Sequence, residues 1–455
     1  MAAGKNRKRR PAGRRQPTQQ DRLVQLWSRL TSTSTPPAMD RWLGRELSRL
    51  DGLPRADRLM LGDLLVDAVR FAPLTVFCED WRRGGWSNGD DPARILAAHA
   101  RLSGPEVWSS LGRLPAAAVF FWTFMRKRQE GADLPSIAPP GPDALEVWRT
   151  VKQWAPKASE PAVRALWAGV PPDLVDHLED RAQLSGWSLQ QQTGFLDRHA
   201  TRPPVWLRPT DAARITDLAA ECTTAGFTVQ QEGGALGLTG PLGVYELDCY
   251  REGRVDIQDL ASQGIGRAVD PVPGQMVWDC CAGAGGKSLQ LAAALGGRGA
   301  IHATDLYEAK LEDLRRRARR AGVANVRTAV WDGHTPPDFG REITTRGGFD
   351  RVLVDAPCSG SGTWRRNPDG RLRFADSQLE PLARVQAELL AIVAPAVVPG
   401  GLLVYATCSW FRAENEDVVA RFLAAASGFR LRSQGVMGNP EADADTTFAA
   451  VMERE

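Results

Sequence analysis

The sequence predicts an α/β fold for its C-terminal half, in which parallel strands alternate with helices. Short apolar runs rich in β-branched residues recur between helical segments, as they do in a buried parallel sheet. A glycine-rich turn follows one of these runs in DCCAGAGGKS, residues 279–288. Aspartates and two cysteines follow the other runs, where the carboxyl ends of parallel strands form one edge of a sheet.

The first part of the chain, residues 1–20, is basic and predicted to be disordered. Its first fifteen residues carry a charge of +7, whereas the whole chain carries +3, so the remainder carries −4. A phosphate-binding arm and a solubilising tail explain this segment equally well. Because the body is not basic overall, any affinity for nucleic acid has to come from the tail and from local patches.

Residues 21–155 are predicted to form an all-α domain. Apolar residues recur at three- and four-residue spacing in DRLVQLWSRL, ADRLMLGDLLVDAVRF and DPARILAAHARL. Residues 21–155 contain no glycine loop, no carboxylate pair and no group of residues typical of nucleophilic catalysis. We therefore assign no catalytic role to this domain.

Residues 156–250 are predicted to form a small α+β domain. Further helices extend to His199, and the prolines of RPPVWLRPT favour an extended segment after them. A helix and short strands follow. This domain would lie beside the α/β half of the chain, and a small domain in that position commonly selects the substrate.

From residue 251 to residue 455, strands and helices alternate. The predicted strands are MVWDCC, GAIHATD, NVRTAVWD, FDRVLVDAP, GLLVYATCS and TTFAAVMER. The helices between them are predicted to begin near Lys287, Glu308, Gln378 and Glu414. This alternation predicts a parallel sheet with helices on both faces and a ligand site at the carboxyl ends of its strands.

The composition, with 43% hydrophobic and 24% charged residues, is typical of a soluble globular protein. Prolines and glycines divide the longest apolar stretch, residues 389–406, which therefore does not predict a membrane span. A signal peptide is not visible, because no apolar stretch follows the basic N-terminus. We expect a cytoplasmic monomer without a membrane partner.

The seven cysteines have no regular spacing, which indicates reduced thiols and not a disulfide framework. The adjacent Cys280 and Cys281 cannot supply a CxxC metal pair, and the five histidines are scattered. We therefore expect no structural metal.

Four aspartates end or follow successive strands: Asp279, Asp305, Asp332 and Asp355. Any one of them alone is better explained as a helix cap or turn residue, but four in register favour a ligand edge. Asp305 is placed like the acid that accepts hydrogen bonds from ribose hydroxyls. Because CAGAGGK is neither GxGxxG nor a triphosphate loop, these features together predict an adenosine ligand without a triphosphate. S-adenosylmethionine is the obvious candidate.

Two cysteines, Cys358 and Cys408, each lie just past a strand among small polar residues, where backbone amides can stabilise a thiolate. Cys78, Cys222, Cys249 and Cys280 are better explained as small core residues. A thiolate that adds to C6 of a pyrimidine makes C5 nucleophilic enough to attack a methyl sulfonium. A carboxyl group at N3 would stabilise that adduct, and Asp355 is three residues from Cys358.

Five blocks closely resemble, in the same order, the signature blocks of the RNA cytosine-C5 methyltransferases, the Sun family. These blocks are VDIQDLASQ, DCCAGAGGKS, TDLYEAKL, DAPCSGSGTWRRNPD and YATCSWFRAENEDVV. RPPVWLRPT looks like the small RNA-binding segment of that family. The stretch LPRADRLMLGDLLVDAVRF resembles the NusB-like domain of the bacterial 16S ribosomal RNA members.

The resemblance implies a Rossmann-like, S-adenosylmethionine-dependent methyltransferase domain that forms 5-methylcytosine in RNA, with 16S ribosomal RNA as the expected partner. Cys408 would be the nucleophile at C6, Cys358 would assist product release, and Asp355 would face N3. The implied cofactor-binding residues are Cys281, Ala282, Gly283, Ala284, Gly285, Gly286, Lys287, Asp305 at the ribose, Asp332 near the adenine, and Asp355.

The chain departs from the family pattern in a few places. Gly283 and Ala284 replace the alanine and proline of the usual CAAPGGK, and losing the proline should make the loop less rigid. Lys310 stands where an arginine is more common, and Thr210 where an asparagine is. None of these changes removes a catalytic group.

Arginines near the predicted site are candidates for phosphate contacts. Arg365 and Arg366 follow the first cysteine, and RRRARR covers residues 315–320. For this second run a solvated helix face is the favoured interpretation, since Glu308, Glu312 and Asp313 can pair with it.

Two alternatives remain open from the sequence. A DNA cytosine-C5 methyltransferase would use Cys358 as its nucleophile, although the TCS block around Cys408 weighs against this. A non-catalytic ribosome-assembly factor could retain the fold, and the altered cofactor loop is the only feature that supports it.

Overall fold

The computed structural model describes residues 18–50, 52–84, 102–131, 137–240 and 243–455. Residues 1–17 of the predicted tail and nearly all of the predicted helix at 91–102 lie outside these ranges. In the part of the chain that is described, no helix is both long and apolar enough to cross a membrane.

The N-terminal part is helical, as predicted. Its helices are α1 (Gln19–Leu30), α2 (Met39–Ser48), α3 (Arg55–Arg70), α4 (Ala72–Arg83), α5 (Gly104–Gly112), α6 (Ala116–Arg128), α7 (Ala144–Trp154), α8 (Pro161–Trp167), α9 (Val175–Leu184) and α10 (Leu189–His199). Helix α1 illustrates why these segments are helical. Thr18 and Asp21 form a capping box at its start, and Leu23, Trp27 and Leu30 lie on one buried face. Whether this part is NusB-like stays a prediction.

A small antiparallel sheet follows, with strand order β2, β3, β1, β4. Its elements are β1 (Val205–Pro209), α11 (Ile215–Thr224), β2 (Thr228–Glu232), β3 (Ala235–Thr239), α12 (Asp248–Arg251) and β4 (Val255–Ile257). Strand β4 lies beyond residue 250 in the sequence and pairs with β1, Leu207 opposite Ile257. The division of the chain at residues 155 and 250 remains a prediction.

The large sheet has seven strands in the order β10, β11, β9, β8, β5, β6, β7. They are β5 (Met276–Asp279), β6 (Ala300–Asp305), β7 (Val326–Val330), β8 (Phe349–Asp355), β9 (Val397–Thr407), β10 (Phe429–Gly438) and β11 (Thr446–Arg454). Strands β9, β8, β5, β6 and β7 are parallel neighbours, whereas β10 and β11 are antiparallel. The predicted α/β sheet is confirmed, and β10 was not predicted.

Helices α13 (Leu260–Val269), α14 (Gly286–Ala294), α15 (Glu308–Arg320), α16 (Arg341–Arg346), α17 (Asp369–Arg373), α18 (Leu379–Val393) and α19 (Glu416–Ala425) accompany this sheet. Buried strand residues on its two faces belong to two separate apolar clusters. The order β8, β5, β6 places the turns after these strands side by side, which positions the site.

The N-terminal helices pack directly onto the α/β part. Apolar residues of α8, α9 and α10 form one buried cluster with Trp364, Phe374, Trp410 and Phe411. Arg181 of α9 donates two hydrogen bonds of 2.7 Å to Glu416 at the start of α19. The helical part therefore shares a core with the segments that flank both predicted catalytic cysteines.

Candidate active site

The two predicted catalytic cysteines lie together. Strands β8 and β9 are parallel neighbours, with Asp355 opposite Ala406, so the turns after them meet at one edge of the sheet. The Sγ atoms of Cys358 and Cys408 are 3.3 Å apart, and both side chains are partly accessible. A ligand at this edge can therefore contact both sulfurs.

The two thiols are not equivalent. The hydrogen bond with the Cys408 sulfur, followed by burial, raises the pKa of the Cys358 thiol well above its ordinary value. Through this contact and its burial, Cys358 holds its proton more strongly than a free thiol does.

A partly buried ion pair lies at the same edge. Lys287, from the first turn of α14, places Nζ 2.7 Å from Oδ2 of Asp355 at the end of β8. Burial lowers the pKa of Lys287, but the charge and hydrogen bond of Asp355 outweigh it and raise the pKa above its usual value. Lys287 is therefore a charged group that joins the start of α14, after the glycine loop, to the end of β8.

A buried carboxylate, Glu414, holds the two cysteine loops together. Its Oε2 accepts hydrogen bonds of 2.6 Å from the hydroxyls of Ser359 and Ser409, which directly follow the two cysteines. Its Oε1 accepts from the Ser359 N–H at 2.8 Å and from Gln386 Nε2 at 3.1 Å. Glu414 thus links the two cysteine loops, which are also joined directly by the Gly362 N–H, a donor to the Cys408 carbonyl oxygen at 2.9 Å.

The glycine loop has a backbone that non-glycine residues rarely adopt. Gly283 and Gly285 have φ of 55° and 84°, and a Cβ on Gly285 would come within 2.4 Å of Leu314. The Gly283 N–H donates to Asp305 Oδ2 at 2.9 Å. The loop is thereby held between the end of β6 and helix α15.

A second buried acid, Asp279, lies under the loop. Its Oδ2 accepts a hydrogen bond of 2.6 Å from Ser288, whereas its buried Oδ1 has no partner within the described residues. Burial raises the pKa of Asp279 to about 7. An unpartnered carboxylate oxygen at a glycine loop fits a ligand that supplies a donor such as an ammonium group.

The predicted ribose and adenine acids differ in setting. Asp305 is buried, and its Oδ1 accepts from the Tyr307 N–H at 2.9 Å. Leu306 and Tyr307, directly after it, expose large apolar side chains. Asp332 is exposed after β7 and accepts from the His334 N–H at 3.0 Å. The structure thus brings Asp305 to the loop, while the side-chain hydrogen bond of Asp332 lies within its own turn.

The predicted phosphate role of Arg365 and Arg366 is wrong. Arg365 is buried and donates to Asp443 at 2.7 Å, and Arg366 donates to Asp259 and Asp445 at 2.6 and 2.9 Å. These acids lie far away in the sequence, so the pairing was not apparent from it. Both arginines are structural.

The arginine run of α15 is divided between two surroundings. Arg315 pairs with Glu308 and Arg316 with Asp313, as expected for a solvated face. Arg317 and Arg320 instead reach the small sheet, where both contact the buried Asp256 at 2.7 Å.

Sequence reasoning missed Glu414 and Gln386. The signal for Glu414 was the polar ENED that follows the second cysteine, but nothing local indicates that its side chain turns back toward Ser359. Gln386 lies mid-helix in α18 and carries no motif.

The sheet order, the glycine loop after β5 and the buried acid after β6 define a Rossmann-like methyltransferase fold. Residues 267–452 match the family model described as 16S rRNA methyltransferase RsmB/F. The resemblance to the Sun family is thereby confirmed over this part of the chain.

Curated relatives support this match. Ribosomal RNA small subunit methyltransferase B of Enterobacter sp. (strain 638) is 36% identical over 251 residues, 54% of this chain and 57% of that protein. The protein of the same name from Klebsiella pneumoniae subsp. pneumoniae is 35% identical over 260 residues, 56% of this chain and 58% of that protein. The alignments thus cover less than two thirds of either relative.

Solved structures show the same fold. The crystal structure of PH0851 has a TM-score of 0.67 at 21% identity and covers 95% of this chain and 98% of its own. NSun6 from Pyrococcus horikoshii, crystallised with SFG, has a TM-score of 0.51 at 17% identity and covers 61% of this chain and 97% of its own.

Proposed function

We propose that this chain is an S-adenosylmethionine-dependent RNA methyltransferase that forms 5-methylcytosine, with small-subunit ribosomal RNA as its substrate. The single observation that carries the proposal is the 3.3 Å contact between the Cys358 and Cys408 sulfurs beside the Lys287–Asp355 ion pair. C5 methylation of a pyrimidine requires a thiol that adds to C6 and is helped by a carboxyl group at N3, and the second thiol can take the C5 proton, whereas methylation of an amino group needs no thiol. The names of the family model and of the relatives agree with an RNA substrate.

The loop and the acids around it fit the cofactor. The positively polarised start of α14 suits the carboxylate group of S-adenosylmethionine. The buried Asp305 suits its ribose hydroxyls, and the unpartnered Oδ1 of Asp279 suits its ammonium group. When bound, S-adenosylmethionine supplies an electrophilic methyl group on a positively charged sulfur.

Cys408 begins the reaction as a thiolate that adds to C6 of the cytosine, and the electron pair of the C5–C6 double bond becomes available at C5. The proton shared between Lys287 and Asp355 can be passed to N3 as negative charge develops there. C5 then takes the methyl group. The target base has to be unstacked to reach Cys408, which favours a loop or an assembly intermediate of the RNA.

Cys358 completes the cycle. In the adduct the Cys408 sulfur is a neutral thioether, so the contact that contributes most to the raised pKa of Cys358 is lost. Cys358 can then release its proton to solvent and, as a thiolate, accept the proton of C5, while N3 returns its proton to the Lys287–Asp355 pair. The C5–C6 double bond reforms as Cys408 leaves as a thiolate.

The proposal is tested by incubating purified protein with methyl-labelled S-adenosylmethionine and RNA from small ribosomal subunits that lack methylation. We expect label in 5-methylcytosine after digestion to nucleosides. Label in another nucleoside would reject the cytosine-C5 reaction, and label in DNA alone would favour the DNA enzyme. Normal folding without S-adenosylmethionine binding would favour a non-catalytic assembly factor.

Asp305→Ala is expected to weaken S-adenosylmethionine binding by about 30-fold, because it removes a charged acceptor for the ribose and the anchor of Gly283. Isothermal titration calorimetry measures the change. The matched control is Asp313→Ala, an exposed acid on α15 that pairs with Arg316 and should leave the affinity within about 2-fold. Equal effects of the two variants would contradict the assigned role of Asp305.

A further inference from the structure

The cofactor loop makes a contact that its sequence does not suggest. Nη1 of Arg317, in helix α15, donates a hydrogen bond of 2.8 Å to the carbonyl oxygen of Ala284. Ala284 occupies the position at which the resembling family has a proline, and the chain therefore lacks the ring that would stiffen this turn. An arginine thus holds the loop at the residue where the covalent restraint is missing.

Arg317 is itself held in place from the other side. Its Nη2 donates at 2.7 Å to Oδ2 of Asp256, a buried residue of strand β4 in the small sheet. Arg320 donates to the other oxygen of Asp256 at 2.7 Å. A guanidinium can bridge two acceptors because its donors lie in one rigid plane. The small sheet is thereby connected to the cofactor loop through Asp256 and Arg317.

The loop is also restrained sterically from α15. Leu314, one turn before Arg317, lies against Gly285, where a Cβ would be 2.4 Å away from it. Two side chains of one helix face therefore restrain consecutive residues of the loop, one by contact and one by a hydrogen bond.

We infer that Arg317 is a positioning residue for the cofactor: it fixes the Ala284 turn in place of the missing proline, and Asp256 of the small sheet keeps it in position. This inference rests on the proposed function, since it assumes that the loop binds S-adenosylmethionine. Arg317 acts on cofactor affinity and not on the two thiols, so its loss changes the KM for S-adenosylmethionine while the KM for RNA is retained.

Arg317→Ala is expected to raise the Kd for S-adenosylmethionine and for S-adenosylhomocysteine about 10-fold, the effect of losing one charged hydrogen bond. Calorimetry on the full chain measures both ligands without turnover. Arg320→Ala is the matched control, because it removes an equal contact with Asp256 but none with the loop, and should change the Kd less than about 3-fold. If the two variants bind the cofactor equally well, the inference is wrong.

A second variant tests whether Arg317 substitutes for the proline. Gly283→Ala and Ala284→Pro are made together to restore the alanine and proline of the usual CAAPGGK loop. A proline at residue 284 favours an extended backbone at residue 283, and an alanine there disfavours the positive φ of Gly283, so the two changes favour the same backbone. In this background Arg317→Ala should raise the Kd less than about 3-fold. A full 10-fold loss in this background would show that Arg317 does not act by restraining the turn.

Hydrogen exchange gives a readout without cofactor. The amides of residues 282–285 should exchange faster in Arg317→Ala than in the wild type and in Arg320→Ala, because a less restrained turn opens more often. Unchanged exchange would overturn the inference. Absence of cofactor binding by the wild-type protein would instead overturn the proposed function, so the two failures are distinguishable.

Discussion

Cys408→Ala is expected to lower RNA methylation by at least about 10⁴-fold, because the thiol assigned to form the bond to C6 is removed and Cys358 is assigned to a later step. The turn that carries Cys408 follows β9 beside the turn after β8, and the two sulfurs are 3.3 Å apart. S-adenosylmethionine binding should stay within about 2-fold, since the residues assigned to the cofactor are retained. Transfer of labelled methyl groups to RNA and calorimetry measure the two effects.

Cys358→Ala should behave differently. The adduct can form through Cys408, but its release is slowed because the group that accepts the C5 proton is gone. A protein–RNA complex that survives denaturing electrophoresis is the expected result. The control is Cys222→Ala, whose sulfur is buried in the core of the small sheet and whose loss should leave turnover unchanged. An adduct in Cys408→Ala and none in Cys358→Ala would reverse the two roles. It would favour the alternative of a DNA cytosine-C5 methyltransferase with Cys358 as its nucleophile.

Glu414→Ala is expected to destabilise the protein by about 3 kcal/mol or more and to reduce kcat by at least about 100-fold. The Ser359 N–H and the hydroxyls of Ser359 and Ser409 would lose their acceptor in a buried place. Both cysteine loops then lose a buried side chain that links them, so the distance between the sulfurs is less well fixed. Denaturant unfolding and single-turnover kinetics measure the two quantities.

Glu414→Gln is the matched variant. Its oxygen can still accept from the Ser359 N–H and Gln386, and its amide can donate to serine hydroxyls, which rotate to accept. It should therefore retain most of the stability and lose only about 10-fold in kcat. If Glu414→Ala unfolds at the same denaturant concentration as the wild type, Glu414 does not hold the loops together.

The strands that carry the site could be predicted because each has a local signal. An apolar run that ends in small or acidic residues marks β5, β6, β8 and β9, and parallel strands bring their carboxyl ends to one edge. This is why the proximity of Cys358 and Cys408 followed from the sequence. Strand β10 was missed because polar residues and glycines interrupt its apolar residues and none of its residues is fully buried, as suits the edge of a sheet.

Long-range polar pairing was not predictable in the same way. Arg365 and Arg366 resemble free phosphate ligands in the sequence, since their acidic partners at 259, 443 and 445 are distant along the chain. The contact of Arg317 with the glycine loop could not be predicted for the same reason. The arginine run of α15 has the pattern of a solvated helix face, but Arg317 contacts the loop through the Ala284 carbonyl oxygen. Hydrogen-bond partners depend on tertiary packing, which periodicity does not encode.

The apolar cluster that joins α8, α9 and α10 to Trp364, Trp410 and Phe411 sets an order of events during protein synthesis. The helices emerge from the ribosome well before their aromatic partners, and at typical elongation rates the delay is roughly 10 to 40 s. Throughout that interval Phe195 has Trp187 beside it but lacks Trp410. We therefore expect the nascent helical segment to bind chaperones and to dock onto the α/β part late in folding.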